Sequence, residues 1–162
     1  MGTRVWSAAG TSLLEVLTAL SVAGFILAIA APPLRRMVAT LRVHAAARMV
    51  RADLEYARMA GLRGGRGAVV RFLRDPDCAW AGTRGGRSYA VAARVADGSP
   101  RPSTLHTLGE GVCFDVTNSD SLVFNSRGLL APFNNRTIRT LADGARDSIV
   151  VSVAGRVRHR PQ

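Results

Sequence analysis

The chain has 162 residues, 48% of them hydrophobic, which suits one domain with a packed core plus one appended element. No internal repeat or low-complexity tract is present, which sets aside repeat architectures and unfolded tracts. The formal net charge is +11, from 22 basic and 11 acidic residues, and every basic residue is Arg. Total exclusion of Lys reflects a compositional bias, but the excess of base over acid favours anionic partners: nucleic acid, acidic lipid or acidic protein surfaces.

The chain opens with MGTRVWSAAG, which carries one Arg and no acid and ends in small residues. The run SLLEVLTALSVAGFILAIAAPPL then extends from Ser12 to Leu34, closed by Arg35 and Arg36. A cleaved secretory signal has an apolar stretch of only about 7–15 residues, with its small-residue site after the stretch rather than before it. A single-span anchor needs about 20 apolar residues, and this run just suffices. Neither reading accounts for Glu15, the only charged residue between Arg4 and Arg35. A carboxylate near the membrane centre costs about 2.5–3.5 kcal/mol on insertion scales, so it calls for a partner.

Gly10, Thr11, Ser12, Leu13, Leu14 and Glu15, with Pro32 behind them, resemble the type IV prepilin signal. In that family a membrane peptidase cuts after the Gly and leaves the apolar helix attached. The resemblance implies a leader peptide at 1–10, a processing site at Gly10 and Thr11, and a transmembrane and assembly helix at 11–34. It also implies that Glu15 meets the new terminal amine of a neighbouring subunit, since a poorly solvated carboxylate and ammonium relieve each other's burial. Thr11 stands where Phe is usual, at the residue that becomes N-methylated.

Beyond the prolines the helical pattern resumes over 35–64 as an amphipathic continuation. Val38, Leu41, Ala45, Met49, Ala52, Tyr56 and Met59 form one stripe, and Val43, Ala47, Val50, Leu54 and Ala57 form a second. Two stripes imply a helix covered on two sides. Pro32 and Pro33 are expected to kink or locally melt it, and Gly61, Gly64, Gly65 and Gly67 to end it. Short β runs follow at 68–73, 88–95, 112–116, 122–124, 137–142 and 148–158, with turns at Asp97-Gly98, Asn134-Asn135 and Asp143-Gly144 and a loop over 97–104. The fold class is therefore α+β: a long N-terminal helix and a mostly antiparallel sheet domain over 65–155.

Cys78 and Cys113 match no zinc or CxxC spacing. They form either a disulfide, permitted outside the cytoplasm, or two buried thiols. His44, His106 and His159 are scattered and lack metal-ligand spacing. Asp115 and Asp120 suit solvated turns or sheet edges better than paired acids. With no nucleophile elbow, P-loop or HExxH motif, no enzyme, cofactor or metal site is expected.

The last stretch, GRVRHRPQ, reads as a basic C-terminal tail over 156–162. Ile149, Val151, Val153 and Val157 share one parity of an extended chain, and Arg156, Arg158 and Arg160 share the other, so the arginines project from one wet side. Planar guanidiniums suit phosphate, while Arg on an exposed edge also deters aggregation. LEYARMAGL, FNSRG and IVVSVAGRVR resemble the GspH/FimT group of minor pilins and pseudopilins. That resemblance implies a pilin-like fold and a subunit of the bacterial inner membrane with a periplasmic domain, later carried into a pilus at the cell surface. Its partners would be other pilin subunits, the prepilin peptidase and the inner-membrane assembly platform. For FimT-type members it implies DNA uptake in natural transformation, with non-specific double-stranded DNA contacts at a GRxR-type motif, here Gly155, Arg156, Arg158 and Arg160. Arg136, Arg139 and Arg146 are weaker additions to that patch. The alternatives are a type II secretion minor pseudopilin acting through protein contacts, and a membrane-anchored periplasmic enzyme or sensor.

Overall fold

The computed structural model describes residues 12–94 and 104–161. Gly10, Thr11 and the segment 95–103 lie outside the described residues. The chain divides into two compact units, Met1–Arg35 and Arg36–Gln162. Helix α1 (Leu13–Gly64) contributes to both. Its helical assignment is continuous through Pro32 and Pro33, so the expected local melting does not occur. Each proline removes one backbone donor, but its fixed φ near −65° is itself helical, and the ladder on either side holds.

In the first unit, α1 presents Leu13, Leu14, Leu17, Leu20, Phe25, Ile26 and Leu27 to the exterior. By length and composition the helix is long and apolar enough to cross a membrane. Thr18 and Ser21 donate their hydroxyls to the carbonyls of Glu15 and Leu17, which hides two polar groups inside the apolar run.

In the second unit, the two stripes of α1 have opposite fates. Val43, Ala47, Val50, Leu54 and Ala57 are all buried, whereas Val38, Leu41, Ala45, Met49, Ala52, Tyr56 and Met59 are all exposed. Each fully buried Val or Leu contributes about 1.5–3 kcal/mol relative to exposure. The helix ends where Gly65 and Gly67 take positive φ, and the Gly67 N–H reaches back to the Gly61 carbonyl at 3.3 Å.

Among the described residues nine strands follow: β1 (Ala68–Leu73), β2 (Ser88–Ala93), β3 (Thr104–Thr107), β4 (Cys113–Val116), β5 (Ser121–Phe124), β6 (Leu130–Ala131), β7 (Arg136–Ala142), β8 (Ala145–Val151) and β9 (Val157–Pro161). They form two antiparallel sheets, ordered β3-β2-β1-β5-β6 and β4-β7-β8-β9. The buried face of α1 joins one hydrophobic cluster with both sheets, including Val70 and Phe72 of β1, Tyr89 of β2, Phe114 of β4, Phe124 of β5, and Ile138 and Ile149 of β7 and β8. A 3-10 helix (Pro76–Ala81) lies between β1 and β2, capped by the Asp75 carboxylate on the Asp77 N–H. Its Cys78 forms a disulfide with Cys113 of β4, which ties the two sheets together.

The run 148–158, expected as one strand, is two. β8 and β9 pair antiparallel, joined by a turn in which the Gly155 N–H bonds to the Ser152 carbonyl at 2.8 Å. Gly155 sits at φ 72°, a left-handed conformation that favours glycine and breaks the extended run. The basic segment is therefore no free tail: its residues Val157–Pro161 form an edge strand of the four-stranded sheet.

Candidate nucleic-acid interface

The β8–β9 register explains where the arginines go. Ser148 faces Arg160 and Val150 faces Arg158 across the pair. Cross-strand partners share a face, so the hairpin preserves the parity expected of an extended run. Arg158 and Arg160 are exposed on the outer face of the sheet, and Arg156 is exposed at the end of the turn. Along β9 the two strand arginines lie about 6.6–6.8 Å apart.

The same face gathers two of the three weaker candidates. Arg139 of β7 lies opposite Ser148, and Ser148 opposite Arg160, which places Arg139 in the same cross-strand row. Arg146 of β8 shares the parity of Ser148 and is exposed. Arg139 is partly neutralised by Asp115, its β4 neighbour, at 3.7 Å. Among the described residues, Arg146, Arg156, Arg158 and Arg160 pair with no carboxylate.

Arg136 does not belong to this patch. It has the parity of Ile138, Thr140 and Ala142, the inward face of β7, and is 4% exposed. Its guanidinium donates to the Thr117 carbonyl at 3.3 Å. Asp120 bonds to Arg74 at 2.8 Å; like Asp115, it is taken by an arginine.

Sequence reading missed Arg58. With Glu55, Met59, Gly155, Arg156, Val157 and Arg158 it lines an open groove of about 500 Å³ between α1 and the start of β9. Its Nε donates to the Gly128 carbonyl at 3.2 Å. That carbonyl also lies where a Cβ on Gly155 would sit. FNSRG and GRVR, separate in sequence, are thus packed against each other, with the Arg58 side chain beside both.

Two of the three histidines, His44 and His159, converge in space. His44 Nδ1 and His159 Nε2 both meet Asp147 Oδ2, at 2.7 and 2.5 Å. His106 Nδ1 lies 3.2 Å from Asp53 Oδ2, which also accepts the Tyr89 hydroxyl. Burial, together with the hydrogen bond and charge of Asp53, pushes the Tyr89 phenol well above its usual range. Glu15 lies exposed in the first turn of α1.

The family model for "Type II transport protein GspH" matches residues 46–155. The chain belongs to this family. Solved structures place its fold among type IV minor pilins and pseudopilins of the GspH and FimU type. The type IV minor pilin FimU of Pseudomonas aeruginosa superposes with a TM-score of 0.60 at 23% identity, covering 74% of this chain and 88% of FimU. The minor pseudopilin EpsH from the type 2 secretion system of Vibrio cholerae gives 0.56 at 16%, covering 74% and 97%. GspH of E. coli gives 0.54 at 12%, covering 76% and 91%. No curated protein matches by sequence. The GspH-family match stops at Gly155, so Arg156, Arg158 and Arg160 lie beyond the matched span.

Proposed function

We propose that this GspH-family chain is a FimT-like minor pilin that binds double-stranded DNA through the outer face of β7, β8 and β9, as a non-enzymatic subunit in DNA uptake. The observation that carries the reading is a set of exposed arginines, Arg146, Arg158 and Arg160 on one face and Arg156 at the end of the adjoining turn, unpaired with acid among the described residues, with Arg139 beside them. Contacts of this kind go to phosphate and are sequence-independent. Before assembly the prepilin peptidase removes residues 1–10, and the apolar part of α1 holds the subunit in the inner membrane with its sheet domain in the periplasm. In the filament Glu15 takes the Thr11 amine of a neighbour, and the exposed stripe from Val38 to Met59 lies against other pilin subunits.

The test is duplex binding by the full chain in detergent micelles across a salt series. Log affinity should fall with log salt at about −0.9 per phosphate neutralised. Replacing Arg156, Arg158 and Arg160 together by Gln should weaken binding and flatten that slope by up to about 2.7, three times the single-phosphate value. No binding by the parent protein at low salt, or an unchanged slope in the variant, overturns the DNA reading. The type II secretion pseudopilin reading then takes its place, supported by the exposed helical stripe, which suits protein contacts in either filament.

A further inference from the structure

Asp147 is a buried carboxylate in an arginine-rich chain, and among the described residues no arginine pairs with it. Two imidazoles face it instead, His44 from α1 and His159 from β9. Its side chain is fully buried, while the two rings are 32% and 25% exposed. The Ser148 N–H donates to Oδ1 at 2.7 Å, which fixes the carboxylate and leaves Oδ2 aimed between the rings. The three nearest ligand atoms lie within 4.8 Å of one another. Thr140, the cross-strand partner of Asp147, has a buried hydroxyl with no hydrogen-bond partner among the described residues.

We propose that His44, Asp147 and His159 form a binding site for a divalent transition metal of the zinc class, which clips the edge strand β9 to α1. Two imidazoles and one carboxylate are the donor set of three-ligand zinc sites that keep a fourth position open to water. Zinc bonds of about 2.0–2.2 Å in a tetrahedral array put ligand atoms about 3.3–3.5 Å apart. The N–O separations of 2.7 and 2.5 Å must therefore open by about 0.6–1.0 Å to reach the tetrahedral spacing, and the two nitrogens must approach. The partly exposed rings can turn to do this; the buried carboxylate need not move. In the metal-free protein each ring donates its inner N–H to Asp147. On binding, each neutral ring carries its proton on the outer nitrogen, His44 Nε2 and His159 Nδ1, and gives the inner lone pair to the metal. Neither outer nitrogen has a protein partner among the described residues, so both tautomers are open.

The test uses untagged, chelator-stripped full chain in detergent micelles, titrated with Zn²⁺ in a calorimeter and with Co²⁺ in the visible. The expected result is one Zn²⁺ per chain with a micromolar or tighter Kd, and the ligand-field bands of four-coordinate Co²⁺. His44→Asn and His159→Gln each keep an N–H donor near the position of the lost ring nitrogen, so Asp147 stays satisfied. Each should still weaken Zn²⁺ binding by at least about tenfold and abolish the rise in Tm that Zn²⁺ gives the parent. His106→Gln should leave binding unchanged. No stoichiometric binding by the parent, less than a threefold change in both ligand variants, or loss of binding in His106→Gln overturns the proposal.

Discussion

Gly155 holds the basic strand in place. Its φ of 72° is strained for any residue with a side chain, and the Gly128 carbonyl occupies the space a Cβ would need. Gly144, in the β7–β8 turn, has φ 80° but nothing within 4 Å of a Cβ. Gly144→Ala should therefore cost only backbone strain, about 1–2 kcal/mol. Gly155→Ala should cost more, about 2–4 kcal/mol, since the clash with Gly128 adds to the strain. Urea unfolding of the two variants side by side checks this, and equal losses would remove the clash from the account. The glycine of the basic motif is thus structural: it makes the turn that sets Arg158 and Arg160 in register with β8.

At the level of elements, the disulfide between the 3-10 helix and β4 spans a sequence separation of 35. Replacing Cys78 and Cys113 together by Ser should lower the unfolding free energy by about 3–4 kcal/mol in the chain-entropy model. Denaturant unfolding of oxidised parent and double variant measures it. The elements themselves were unevenly legible. β1 emerged with its observed bounds because AVVRFL is a short apolar run between Gly67 and the turn residues Asp75 and Pro76. The strand β3 is exposed at three of its four residues, and β6 has only two residues, so neither left a periodic signal. The β8–β9 hairpin was missed because V-A-G carries no Asn or Pro, and Gly155 was its sole turn marker. The register still kept even positions opposite even ones, which is why the arginine face survived the error. The His44–Asp147 contact spans 103 residues, and only the packing of α1 on the sheet brings it about. Arg136 was misplaced because a strand one residue longer than expected put it at the inward-facing end of β7.

For the whole molecule, the processing signal and the fold make a joint prediction. If the chain matures as a pilin, N-terminal sequencing of the protein recovered from membranes should begin at Thr11. Retention of Met1 would sink both filament readings while leaving the fold untouched. The second half of α1 carries its own consequence. Buried and bare stripes alternate along it every three or four residues, so the sheets that cover one stripe also fix the rotational phase of the other. A subunit whose domain has not folded leaves both apolar stripes uncovered, so neither is singled out as the contact surface. Under the filament reading, folding then acts as a licence for assembly: only a correctly folded domain offers neighbours a contact surface aimed one way.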